Sequence, residues 1–153
     1  MANAYTQINV HVVFAVKGRE NVIHRELMDQ ACKYMHGILV SMKQFPLAIG
    51  GSKNHVHLFF EQHPDTTLSD IVEKTKSNVS KWINENKMIM GHFEWQRGYG
   101  GFSYSRSQRN NVIKYIMTQE EHHKGKTFRE EYMDMLNKFE IAFDDKYVFE
   151  FYE

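Results

Sequence analysis

The 153 residues are 42% hydrophobic and carry nineteen basic and nineteen acidic side chains, which fits one domain with its own core and excludes a disordered chain or one that coats nucleic acid by bulk charge. The single cysteine, Cys32, excludes an internal disulfide and points to a reducing cytoplasm. No apolar run is long enough to span a bilayer and no leader-like start is visible, so neither a membrane span nor a signal peptide is expected.

The charges are unevenly placed. Residues 1–96 are net +1, residues 97–126 net +4 and residues 127–153 net −5. A basic stretch therefore precedes an acidic tail.

In chain order, "TQINVHVVFAVK" alternates, with Ile8, Val10, Val12 and Phe14 on one face and Asn9, His11 and Val13 on the other. That predicts a half-buried strand. "HRELMDQACKYMHGILVSMK" places Leu27, Ala31, Tyr34, Met35, Ile38 and Met42 near helical spacing, and predicts a helix. "FPLAIGG" reads as a short strand, "SKN" as a turn, and "HVHLFFEQ" as a hairpin strand. "TTLSDIVEKTKSNVSKWINEN" has an apolar stripe from Leu68 to Ile83, with Thr66 or Thr67 as its N-cap. "FEWQRGYGGFSYSRS" has glycines at 98, 100 and 101, and predicts a bent or bulged strand approached by another backbone. "SQRNNVIKYIMTQEEHHKG" is a third helix, with Ser107 as cap and Gly125 as stop, and "TFREEYMDMLNKFE" is a fourth. The aromatic end, "DDKYVFEFYE", is expected to add an edge strand or dock on a partner.

The order β-α-β-β-α-β-α-α predicts an α+β fold. It is a ferredoxin-like, RRM-like antiparallel sheet with helices on one face and an added tyrosine-bearing helix. Residues 1–153 are read as one domain, with 127–153 a C-terminal helix and tail.

In "NHVHLFF" the strand period puts His55, His57 and Phe59 on one face and Val56, Leu58 and Phe60 on the core face. Two imidazoles at this spacing can take adjacent positions on a metal ion. With nine histidines in the chain, H-x-H alone is weak, and two structural histidines fit it as well. A catalytic site needs a third ligand. On the third helix, Gln108, Asn111, Tyr115, Gln119 and His122 share a polar flank, with Tyr115 and Gln119 one turn apart. A phenol is a poor nucleophile unless positive charge lies nearby, and a metal supplies that. Gln119 would then complete a set with His55 and His57.

Together these stretches resemble the single-tyrosine HUH transposases of small insertion sequences, which act on single-stranded DNA. "NHVHLFF" looks like the HUH motif and "YIMTQ" like the tyrosine helix motif. "QINVHVVFAVKGRE", "AIGGSKNHVHLFF" and "WQRGYGGFSYS" are similar to the family's other segments, so the resemblance covers residues 5–140 in order. It implies His55, His57 and Gln119 as ligands of Mg²⁺ or Mn²⁺. It implies Tyr115 as the nucleophile that forms a 5′-phosphotyrosine link and frees a 3′-OH. It also implies DNA hairpins as partners, and a cytoplasmic homodimer in which the tyrosine helix of one protomer completes the other's site. Lys53, Arg97, Arg106, Arg109 and Lys114 are candidates for holding phosphates, and Tyr99, Phe102 and Tyr104 for stacking on bases. Asn54 departs from the family, where many relatives carry an acidic residue. A replication-initiator-like or domesticated nickase, or a non-catalytic nucleic-acid-binding module, stays open as an alternative.

Overall fold

A computed structural model describes residues 4–18, 23–123 and 125–152, apart from the side chains of Glu120 and His122. Strands β1 (Asn9–Ala15), β2 (Phe45–Ser52), β3 (His55–Glu61) and β4 (Gly100–Tyr104) form one antiparallel sheet in the order β2-β3-β1-β4. This is the ferredoxin-like α+β arrangement expected from the element order. Among the described residues, no helix is long and apolar enough to cross a membrane.

Helices α1 (Arg25–Ser41) and α2 (Leu68–Glu85) cover one face. Val10, Val12, Phe14, Val56, Leu58 and Phe60 pack there with Leu27, Met35, Ile71 and Val79. Each fully buried large side chain in this layer contributes roughly 1.5–3 kcal/mol of transfer free energy. Thr67 caps α2 by accepting from the Asp70 N–H at 3.2 Å, and Tyr34 of α1 stacks on Trp82 of α2 with ring centroids 4.5 Å apart.

The opposite face is also covered, by α3 (Arg109–Met117), α4 (Gln119–His122) and α5 (Phe128–Lys138). Ala48 and Phe59, paired across β2 and β3, pack with Val112 and Ile116 of α3. So β1 is buried along its whole length, where alternation alone predicts a half-buried strand. Asn9, for example, accepts from Arg109 Nε at 2.9 Å.

The tyrosine-bearing segment is not the single helix expected over 107–125. A 3₁₀ turn at Arg106–Gln108 precedes α3, and Ser105 rather than Ser107 opens it, donating its N–H to Gln108 Oε1 at 3.1 Å. At Thr118 the backbone leaves helical geometry (φ −113°, ψ 30°), while the Thr118 hydroxyl donates to the Lys114 carbonyl at 2.8 Å. Such back-bonding competes with helix continuation. α4 then ends at His122, before Gly125.

Two glycines bring the second layer close. Gly50 lies opposite His57 in the sheet, and a Cβ there would sit 2.7 Å from the Ile116 carbonyl oxygen. The last turn of α3 therefore rests directly on β2. At Gly100 the visitor is a side chain, not the backbone expected: a Cβ would sit 2.7 Å from the Tyr132 hydroxyl.

Among the described residues the aromatic tail adds no strand and packs on its own chain. Gln96 brackets it, accepting from the Glu150 N–H at 2.7 Å and donating to the Glu150 carbonyl at 2.8 Å. Phe149 is buried against Tyr132, and Phe151 packs on Phe128 of α5.

Gly50→Ala should lower the unfolding free energy by about 1–3 kcal/mol, because the added methyl must push α3 off the sheet. Denaturant melts of the two proteins measure this. An unchanged midpoint would mean that α3 does not depend on the close approach.

Candidate metal centre

The face that alternation assigns to His55 and His57 is the face roofed by α3, α4 and α5. Both histidines are fully buried there. In the β1–β3 register His57 faces Val13 and Phe59 faces His11, so His11 and His57 are diagonal neighbours on one face. Their rings stack with centroids 4.9 Å apart, and His11 Nε2 lies 2.7 Å from His57 Nδ1. His55 Nδ1 lies 2.8 Å from Asn54 Oδ1. Phe128 stacks on the His55 ring at 4.0 Å, nearly parallel. Each ring is thus oriented from behind, with its Nε2 turned into one space.

Into that space comes Glu131, on α5. Its Oε1 is 3.2 Å from the Nε2 atoms of His55, His57 and His123. Its Oε2 accepts from Gln119 Nε2 at 3.0 Å and from the Tyr115 hydroxyl. Gln119 Oε1 lies 2.9 Å from His55 Nε2 and 3.1 Å from His123 Nε2. Tyr115 is half-buried, with its ring 5.8 Å from that of His57. All four residues expected to form the site therefore converge within one chain, although Tyr115 and Gln119 sit on either side of the break at Thr118 rather than on one continuous turn.

Sequence reasoning missed Glu131, His123 and the contact of His11. A signal for Glu131 was present: it falls in the apolar stripe of α5 with Phe128, Tyr132, Met135 and Leu136, where a carboxylate has no place without partners. His123 lies one helical turn beyond Gln119 and enters the cluster beside it. The His122 side chain lies outside the described residues.

Burial lowers the His55 pKa to about 4, so that ring is neutral near pH 7. Burial opposes charge on Glu131 too, but hydrogen bonds from His123, His55 and His57 outweigh it and hold the carboxyl well below the usual range. Burial raises the Tyr115 phenol, and the charge and hydrogen bond of Glu131 raise it further. The hydrogen bond from His55 to Glu131 uses the tautomer with the His55 proton on Nε2; in the other, with Asn54 Oδ1 accepting from Nδ1, His55 Nε2, Gln119 Oε1 and Glu131 Oε1 are lone-pair atoms facing one another. A cation between them removes that repulsion. The donor set of imidazole nitrogens, carboxylate and amide oxygen fits a divalent metal ion of the Mn²⁺ or Zn²⁺ kind, and less specifically Mg²⁺. His55, His57 and Glu131 offer ligand atoms that all lie within 4.8 Å of one another.

The other candidates differ in availability. Lys53, Arg97, Arg106 and Lys114 are exposed. Arg109 is committed to Glu61 as well as to Asn9, so it ties α3 to the sheet. Phe102 is 2% exposed and cannot stack on a base, which corrects that expectation. Tyr99 is exposed, and Tyr104 lines a cleft of about 350 Å³ beside Tyr115 with Gln108, Asn111 and Lys138.

A ferredoxin-like sheet with a buried histidine cluster and a tyrosine at its mouth defines the class. Residues 4–119 match the family model described as "Transposase IS200 like", and the chain belongs to that family of DNA transposases. Two solved structures share the fold. One, from Deinococcus radiodurans R1 and described as a candidate transposase, is 19% identical with a TM-score of 0.60, over 78% of this chain and 95% of its own. The other, a REP-associated tyrosine transposase bound to a REP hairpin, is 10% identical with a TM-score of 0.59, over 80% of this chain and 73% of its own. No curated protein sequence matches the chain.

A neutral buried His55 makes acid destabilising. Its folded pKa lies below the unfolded value near 6.5, so its contribution is full above that value and is lost as pH falls toward 4. In chelator, the unfolding free energy should drop by about 2 kcal/mol from pH 7 to pH 5 through this ring alone. His55→Gln should flatten that slope. An equal slope in the variant would place the titration elsewhere.

Proposed function

We propose that this transposase cleaves and rejoins single-stranded DNA through Tyr115, at a divalent metal ion held by His55, His57, Glu131 and Gln119. The observation that carries the proposal is the Tyr115 hydroxyl on Glu131 Oε2 while Oε1 of the same carboxylate meets both histidines. Nucleophile and ligand set are thereby joined through one group.

When bound, the metal ion draws charge from a phosphate oxygen and makes the phosphorus electrophilic. The chain's own groups do the rest. Tyr115 attacks phosphorus, and its proton passes to Glu131 Oε2, the acceptor already in place. The Tyr115 oxygen–phosphorus bond forms as the bond to the 3′ oxygen breaks. The products are a 5′-phosphotyrosine and, after protonation, a free 3′-OH. The reverse reaction with another 3′-OH rejoins the strands, so the phosphodiester energy is conserved. Before substrate enters, burial first and the Glu131 charge second keep the phenol protonated.

The structural relative that holds a REP hairpin supports hairpin DNA as the partner. Lys53, Arg97, Arg106 and Lys114 supply exposed positive charge for its phosphates. The resemblance carries a cytoplasmic homodimer into the proposal. Within one chain Tyr115 lies beside that chain's own His57, and in the homodimer that the resemblance implies the tyrosine helix of one protomer would complete the other's site.

The test uses a labelled hairpin oligonucleotide with a single-stranded extension, plus Mn²⁺. The unsubstituted protein should form a denaturation-resistant protein–DNA adduct. Tyr115→Phe should abolish it and leave hairpin affinity within a few-fold. Glu131→Gln should slow adduct formation at least 10²-fold. An adduct that survives Tyr115→Phe would refute the nucleophile, and one that forms fully in chelator would refute the metal. Joining of two element ends in the same tube separates a transposase from a nickase.

A further inference from the structure

His11 is buried in the middle of β1, 1% exposed, with Phe59 and Phe102 around it. Its Nδ1 is the one buried side-chain nitrogen or oxygen among the described residues without a hydrogen-bond partner. An apolar residue would leave nothing unpaired there. What the imidazole adds is at its other end, where Nε2 lies 2.7 Å from His57 Nδ1.

A neutral imidazole carries one proton, and the nitrogen without it is the one that binds a cation. For His57 to offer an Nε2 lone pair to the centre, its proton must sit on Nδ1, and that N–H needs an acceptor. His55 meets the same requirement through Asn54 Oδ1 at 2.8 Å. His57 has no amide behind it; it has His11.

We propose that His11 is a positioning residue that accepts the Nδ1–H of His57 and so fixes the tautomer in which His57 Nε2 faces the centre as a ligand. The proposal rests on the metal reading above. Nδ1 of His11 is without a partner in either tautomer; with Nε2 accepting, the single proton sits on Nδ1, so this arrangement carries the cost of a buried unpaired N–H in return for a fixed His57. In the reverse arrangement His11 donates, and His57 turns its own proton toward Glu131.

The test compares the unsubstituted protein, His11→Phe and His11→Gln. The Gln carbonyl reaches the place of Nε2 and can only accept. Titration calorimetry with Mn²⁺ should show affinity 10- to 100-fold weaker in His11→Phe and within a few-fold of the unsubstituted protein in His11→Gln. Ring-nitrogen NMR of the unsubstituted protein loaded with Zn²⁺ should place the His57 proton on Nδ1. That spectrum decides the question if His11→Phe does not fold. A proton on His57 Nε2 overturns the proposal, as does unchanged Mn²⁺ affinity in a folded His11→Phe. Absence of Mn²⁺ binding by the unsubstituted protein overturns the metal reading, and this role with it.

Discussion

A carboxylate cannot stay buried alone, and the second layer of this protein is organised around that constraint. Glu131 is 3% exposed within the apolar stripe of α5. An unpaired charge there would be prohibitive. It is met by His55 and His57 from β3, Tyr115 from α3, Gln119 from α4 and His123 just after it. Those five contacts bind four separate elements to one point. In the tautomers that carry the imidazole protons on Nδ1, His55 Nε2, His57 Nε2, Gln119 Oε1 and Glu131 Oε1 would instead face one another as lone pairs, which is the physical reason for reading the point as a cation site.

The sheet makes this possible through what it lacks as much as what it carries. Gly50 has no side chain, so the end of α3 rests on β2. The break at Thr118 then turns the chain so that Gln119 points inward and is 2% exposed. Phe128 stacks on the His55 ring, and Asn54 Oδ1 lies 2.8 Å from its Nδ1. Asn54, the residue that departs from the family's acidic pattern, therefore does the orienting work of a carboxylate with an amide oxygen.

Much of this was legible from period and spacing. The spacing of Tyr115 and Gln119 named both residues, although the helix breaks between them at Thr118. Strand alternation put His55 and His57 on one face because that rule depends only on local backbone geometry. Thr67 as a cap was legible for the same reason. What escaped depended on tertiary placement. Glu131 lies 74 positions from His57, and nothing local says that α5 folds over the histidines. His123 lies four residues from Gln119, one helical turn on, and the polar flank read from Tyr115 named His122 instead. The alternation that predicted an open face for His11 could not know that a second layer covers it. Phe102 looked available for stacking because aromatic residues in a glycine-rich strand read alike whether or not a helix lies over them.

The central claim is that these buried groups hold a metal ion. Anomalous diffraction from crystals soaked in Mn²⁺, recorded to favour the manganese signal, tests it directly. The account predicts one strong peak bonded to His55 Nε2, His57 Nε2 and a Glu131 oxygen, with Tyr115 beside it. A map without a peak among these residues, with the site intact and Glu131 still on the histidines, would contradict it.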